Sequence, residues 1–349
     1  MEMVIPSIPA NLNTHLPLGL QDLEQLRLLV TGNSALDWNR LAIHTRSEAL
    51  QLLNLLGIHP ENPQDQAIIR DVFERSLTYL DTFVHYYVSS EVRYLDDPIE
   101  LFLIASGSGI SQKDACMLLK VMHVVYHVKG RELLYRLPVP IQELFRRVKS
   151  MVFQAVDGLK AQGIRIVQFE GSRKTNPSIY TKLLCRTDSL AAEVHDRIRF
   201  RIITEDITGT FDALIYLTRT LFPFNYIVPG ESRNDLLDIE ATYQADPYLA
   251  EIAKDLQPLE NLKQSNNPYS AKDFKIINFV VDLPVRVDDL VKTIPDHQAA
   301  DGHIVFLLVE FQLVDQHTHH NNSTGVNRHS LYKERQIKKA IERLSGQKK

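Results

Sequence analysis

Two stretches decide the fold: residues 164–182, IRIVQFEGSRKTNPSIYTK, and residues 195–203, HDRIRFRII. In the second, Ile198, Phe200 and Ile202 alternate with Arg197, Arg199 and Arg201, the two-residue period of a strand with one apolar and one charged face. The first opens on a strand, Ile164–Glu170, passes through a polar turn, and enters a helix over Ser178–Leu184. Working outward, further strands are predicted at Lys275–Leu283 and His303–Leu313. Helices are predicted at Phe211–Leu221 and Leu249–Leu256, and a final basic helix runs from about Ser330 to Leu344. Before Gly163 the period changes. Val72, Leu77, Leu80, Val84 and Tyr87 recur at helical intervals, as do Met117, Val121, Val124 and Val128, with Pro60, Pro63, Pro98, Pro138 and Pro140 as punctuation. The fold class expected is therefore α+β: an all-helical domain over residues 1–140, then a mixed β-sheet domain over residues 141–349. Residues 1–20 read as an irregular lead-in, and 226–272 as a polar, turn-rich excursion.

The chain has 349 residues, 44% hydrophobic and 23% charged, the composition of a soluble globular protein of about two domains. The strongest apolar run, Ile304–Val309, is far short of the ~18 residues of a membrane helix, so no membrane role is expected. Two cysteines, Cys116 and Cys185, exclude a disulfide scaffold and a four-cysteine zinc site, and point to a cytoplasmic setting. The absence of a basic n-region argues against a secretory signal. Charge is unevenly spread. Residues 165–201 hold eight basic and four acidic side chains, whereas 202–322 hold eight basic against nineteen acidic. A local basic segment in a nearly neutral chain suits a local anionic ligand better than a duplex-binding surface.

Four segments carry candidate chemistry. Arg173, Lys174, Ser178 and Lys182 surround a strand-to-helix turn, where free N–H groups and cations suit a polyphosphate; the spacing is not that of a Walker A loop. Asp196 opens a strand beside Arg197, Arg199 and Arg201 and could hold Mg²⁺ while the arginines neutralise phosphate oxygens. Glu310 and Gln312 share a strand face with Phe306 and Leu308, and Glu310 would supply the second carboxylate for magnesium. His329, Tyr332 and Lys333 open the last helix. Each also has a plain structural reading as a solvated turn, a salt-bridged edge strand or a helix start.

Taken together these segments resemble the RelA/SpoT-type alarmone synthetase domain, which has a nucleotidyltransferase-like fold. Lys174, Ser178, Ile179, Tyr180 and Lys182 match a Lys-x3-Ser-Ile-Tyr-x-Lys element. Asp196 and Arg201 match an Asp followed five residues later by Arg. Glu310, Gln312 and Leu313 match Glu-x-Gln-Ile/Leu, and His329, Tyr332 and Lys333 match His-x2-Tyr-Lys, all in order over roughly residues 142–340. The resemblance implies Mg²⁺-dependent transfer of the β,γ-diphosphate of ATP to the 3′-hydroxyl of GDP or GTP, releasing AMP. It implies ATP binding by Arg173, Lys174, Ser178, Lys182 and Arg201, catalysis and metal binding by Asp196 and Glu310, and acceptor binding by Phe274, Gln312 and His329.

The sequence departs from the family at the acceptor. The strand whose tyrosine stacks on guanine is missing as such; register from Glu310 puts Phe274 there, with Tyr226 and Tyr269 as rivals. Ser172 replaces a basic residue, and Val314-Asp315 replaces Arg-Thr. Two alternatives stay open: the same transfer to an adenine nucleotide or an RNA 3′ end, and a non-catalytic nucleotide-binding regulator. The helical half would set homo-oligomerisation or gate the ATP site. No hydrolase is expected. His123 and His127 share a helical face, but Lys120 and Arg131 flank them and disfavour a metal, and His317, His319 and His320 read as a solvated loop.

Overall fold

The computed structural model describes Leu16 and residues 18–31, 43–185, 198–254, 274–298, 301–324 and 329–345. Up to residue 161 the described secondary structure is helical: α1 (Leu20–Thr31), α2 (Arg46–Leu55), α3 (Pro63–Tyr79), α4 (Ser90–Arg93), α5 (Glu100–Ala105), α6 (Ile110–Arg136) and α7 (Ile141–Ala161). Local signals set several ends. Thr45 and Glu48 form a reciprocal capping box on α2. Asn62 caps α3, and Pro63 fills its first position, where the missing N–H has no partner to lose. After α3 the backbone widens into a π-helical turn, Leu80–Val84, closed by His85 at φ 55°.

The remaining elements interleave: β1 (Ile166–Arg173), α8 (Asn176–Cys185), β2 (Ile198–Thr204), α9 (Ile207–Thr220), β3 (Arg233–Asn234), α10 (Ile239–Ala245), α11 (Pro247–Ala253), β4 (Ile277–Arg286), α12 (Asp288–Val291), β5 (Ile304–Asp315), α13 (Gln316–Asn322) and α14 (His329–Leu344). The four predicted strands agree with β1, β2, β4 and β5 to within three residues at each end. The predicted histidine loop is instead α13, capped by Asp315, whose Oδ1 accepts the Thr318 amide at 2.9 Å.

The five strands form one mixed sheet in the order β1-β2-β5-β4-β3. β2 and β5 are parallel, and the other neighbours are antiparallel. One face is aromatic. Phe200, Phe311 and Phe279 stand opposite one another on adjacent strands, with Phe169 stacked on Phe200 at 5.9 Å. α7 and α9 cover this face. α7 does so because Leu144, Val148, Val152, Ala155, Val156 and Leu159 recur along one side of it.

The other face is divided along the strands. At one end α6 crosses β5 so closely that a Cβ on Gly130 would lie 2.5 Å from the Phe306 ring and 3.0 Å from the Ile304 carbonyl oxygen. Beside this crossing, Arg131 and His127 on α6 bind Asp282 on β4. At the other end the face is polar. Residues from Leu16 to Val314 belong to one hydrophobic cluster, so the helical segment and the sheet share a core.

The predicted α6 stripe differs from the buried one. Val124 and Val128 are about half exposed, and the helix buries Ala115, Leu118, Leu119, Tyr126 and Leu133 instead. α6 packs against α3 and α5 as well as β5, so its apolar residues spread around the axis and a single stripe does not identify its core side.

Candidate active site on the polar face of the sheet

The register builds two rows across four strands. Ser172, Arg199, Glu310 and Val280 are neighbours in the first; Glu170, Arg201, Gln312 and Asn278 are neighbours in the second. The arginine alternation in β2 puts Arg199 and Arg201 on the side away from Phe200, and parallel pairing with β5 sets them beside Glu310 and Gln312.

Glu310 is the centre of the cluster. Its side chain is 9% exposed, and Oε2 lies 3.1 Å from the Lys174 ammonium, which follows β1 immediately. Oε1 accepts a 3.0 Å hydrogen bond from Gln312 Nε2. The Gln312 amide is fully engaged. Its oxygen accepts from Arg201 Nε at 3.0 Å and Nη2 at 2.8 Å, and its nitrogen also donates to Asn278 Oδ1 at 3.1 Å. On the other side, Lys333 of α14 donates to Ser178 Oγ of α8 at 3.0 Å, with the two helices packed together. Arg199 Nε donates to Ser172 Oγ at 3.3 Å.

Electrostatics follow from this crowding. Burial pushes the Lys174 ammonium pKa down, Arg199 and Lys333 push it further, and the Glu310 carboxylate opposes them. Burial also lowers Arg201, with Arg199 adding to the effect. His319, on α13, is lowered by burial and by Arg201, while Glu170 acts in the other direction. Lys174, Arg199, Arg201 and Lys333 thus gather around the buried Glu310 carboxylate and Glu170, and such an excess of cations gains from a polyanionic ligand.

The structure brings together Lys174, Ser178, Arg201, Glu310 and Gln312. It does not bring Arg173 to them. Strand alternation turns Arg173 to the opposite side, where its guanidinium lies 4.9 Å from the centre of the Phe145 ring on α7. Phe274 is also apart. It precedes β4, and Asn278 and Val280, not Phe274, face Gln312 and Glu310. The ladder starts late because Asn322 brackets the Lys275 backbone, accepting from its N–H and donating to its carbonyl. Phe274 instead lies 6.0 Å from the Arg233 guanidinium. Tyr226 is buried against Phe306, at 5.4 Å, under α6. Asp196 and Tyr269 lie outside the described residues, as do the side chains of Lys182 and His329. Among the described residues no group of three or more His, Cys, Asp or Glu side chains is arranged to hold a metal.

Glu170 and Asn278 stand in these rows but were not singled out from sequence. Arg199 was read only as one of the three arginines beside Asp196, and Lys333 only as a member of the last motif, without its contact to Ser178. Glu170 and Asn278 depend on strand neighbours that no local pattern specifies.

No protein-family model matches the chain, and no curated protein matches it significantly. Among solved structures, small alarmone synthetase 2 from Bacillus subtilis is similar at 14% identity over 61% of this chain and 91% of that one, with a TM-score of 0.31. Small alarmone synthetase 1 from Bacillus subtilis, bound to its product pppGpp, gives the same identity and coverage with a TM-score of 0.33. A GTP pyrophosphokinase family protein from Streptococcus pneumoniae gives 12% identity, 58% and 87% coverage, and a TM-score of 0.28.

Proposed function

We propose that the chain is an ATP-dependent pyrophosphokinase of the alarmone-synthetase type, moving the β,γ-diphosphate of ATP to the 3′-hydroxyl of a nucleotide. The observation that carries this reading is the Lys174–Glu310–Gln312–Arg201 chain of contacts on the polar face of the sheet. In the proposed reaction the acceptor 3′-oxygen attacks the β-phosphorus, the bridge between the α- and β-phosphates breaks, and AMP leaves. Lys174, Ser178, Lys182, Lys333 and Arg201 hold the phosphates, and Glu310 takes the proton from the acceptor hydroxyl. Such a transfer needs charge neutralisation and in-line placement more than covalent chemistry, and the converging cations supply the first.

Mg²⁺ fits Glu310 as a donor. Magnesium uses one or two protein carboxylates and takes its other ligands from phosphates and water. Glu310 would hold it, with Asp196 as the second carboxylate, and the bound ion would neutralise charge on the phosphate oxygens.

The acceptor side bears on a second form of this reading. The β4 residues that face the site, Asn278 and Val280, offer no aromatic ring on which a base could stack. No ring on these two positions would select guanine, so transfer to an adenine nucleotide or an RNA 3′ end stays open beside GDP and GTP.

Purified protein incubated with γ-labelled ATP and Mg²⁺, with GDP, GTP, ADP or bulk tRNA in parallel, tests both forms by separation of the products. Label on one acceptor, with AMP appearing in step and both lost in Glu310→Gln, is the expected result. ATP binding without transfer to any acceptor overturns the enzymatic reading and leaves a nucleotide-binding regulator.

A further inference from the structure

One apolar stripe of α6 lies away from the helix's own packing. Met117, Val121, Val124, Val128 and Tyr135 follow one another at intervals of 4, 3, 4 and 7 residues, with Arg131 inside the last interval. At about 100° per residue they fall within about 40° of one line along the helix, and Met117 and Tyr135 stand about 27 Å apart. The opposite side of α6 carries the buried Ala115, Leu119, Tyr126 and Leu133 and packs against α3, α5 and β5. Met117 and Val121 are half-buried at the margin of the core, Val124 and Val128 are about half exposed, and Tyr135 is 88% exposed. The charges beside the stripe are one-sided. Lys113, Lys120 and Arg131 lie along one flank; of the acids of α6, Asp114 is buried and only Glu132, on the other flank, is exposed. Lys113 and Lys120 make no ion pair among the described residues, and Arg131 holds Asp282 with 39% of its side chain exposed.

Apolar residues alternating at three- and four-residue intervals on an outward helix face form the seam that one helix offers to another. We infer that this face of α6 docks an amphipathic helix of another protein, one with apolar residues at the same spacing and acidic residues beside them. Its apolar side chains pack among Val121, Val124 and Val128, and Tyr135 supplies an aromatic anchor at one end. Its carboxylates meet Lys113, Lys120 and the exposed part of Arg131. The same charges turn away a second copy of this chain. In an antiparallel pair of α6 helices the flank bearing Lys113, Lys120 and Arg131 faces itself, and in a parallel pair it faces a flank whose exposed acid is Glu132 alone. An extended peptide fits poorly, because a helix has no open ladder for its backbone to join. Docking on α6 needs nothing of the nucleotide chemistry.

The probe is a fluorescein-labelled three-heptad peptide with Leu at both seam positions and Glu at the flanking ones, whose like charges keep it from pairing with itself. It is titrated with the full chain and compared with a peptide carrying Lys at the flanking positions and with an acidic peptide of scrambled order. Fluorescence anisotropy should show saturable binding of the acidic peptide, at least about tenfold tighter than either control and weakened by added salt. Val124→Glu combined with Val128→Glu, at exposed positions, should weaken binding at least about tenfold and leave the circular dichroism spectrum unchanged. Tyr135→Ala should weaken it about three- to tenfold. Lys113→Glu with Lys120→Glu should turn the preference toward the Lys peptide. No saturable binding of the acidic peptide, equal binding of the two charge forms, or unchanged affinity in the folded Val124→Glu, Val128→Glu protein would each overturn the inference. So would sedimentation showing a dimer of this chain that the same double substitution dissociates, which assigns the stripe to a second copy.

Discussion

Lys174 and Glu310 test what single side chains do in this molecule. The pair is mostly shielded from water, so replacing one partner removes an attraction that helps offset the burial of the other. Glu310→Gln should destabilise the protein by about 1–3 kcal/mol, because the Lys174 ammonium then faces Arg199 and Lys333 without its carboxylate. The double variant Lys174→Met with Glu310→Gln should recover much of that loss, and urea unfolding of all four proteins measures the coupling. Additive losses would show that the pair contributes little. Asp65 gives a second test. Its side chain is fully buried, with Oδ1 2.5 Å from His303 Nε2 and Oδ2 2.7 Å from Arg286 Nη1. Burial alone would raise its pKa, but the bonds from His303, Arg286 and the His59 amide outweigh it and hold the carboxyl well below the ordinary range. A depressed folded pKa stabilises above the unfolded value, near 4, and that contribution fades as pH falls toward the folded value. Asp65→Asn should therefore cost most above about pH 5, and the gap to the parent should narrow on acidification below about pH 4. At this scale much was legible in the sequence. Lys174, Ser178, Arg201, Glu310 and Gln312 stand together as their short motifs implied. Lys333 was recognised as a motif residue, but its contact with Ser178 joins segments 155 residues apart, and local order does not encode that distance.

Elements were legible where their period was simple. β2 alternates cleanly because one side meets aromatic rings and the other meets the polar site. The expected continuation of α3 through Tyr87 fails for a different reason. The helix loosens after Tyr79, and Val84 and Tyr87 are exposed, so apolar spacing there is not a core signal. α6 hides its contacts too, since it touches elements on several sides and depends on a residue with no side chain. Gly130→Ala sets two effects against each other. Alanine favours an isolated helix by roughly 0.5–1 kcal/mol, but here its methyl would overlap Phe306. We expect packing to win, with a net loss of about 1–3 kcal/mol in denaturant unfolding. A gain in stability would mean that α6 does not seat on β5 as described.

On the scale of the whole molecule, the helical segment and the sheet share a continuous core. Differential scanning calorimetry should therefore show one cooperative transition rather than one for residues 1–140 and another for the rest. Two resolved transitions would favour independent units. Length and composition suggested two domains, but they carry no information on whether the apolar faces meet. That depends on α6 crossing β5, which becomes visible only when residues far apart in sequence are placed side by side.

The parallel pairing of β2 with β5 also governs how the protein is made. Arg201 and its partner Gln312 are 111 residues apart. A ribosome adding about 5–20 residues per second takes roughly 5–20 s to synthesise that stretch. During that interval β2 has left the ribosome, Phe200 and Ile202 are apolar, and the strand that must lie beside it does not yet exist. Newly made chains thus lack the β5 neighbour for the apolar side of β2, a natural target for chaperones, and none can carry a complete site until β5 and α14 have been translated.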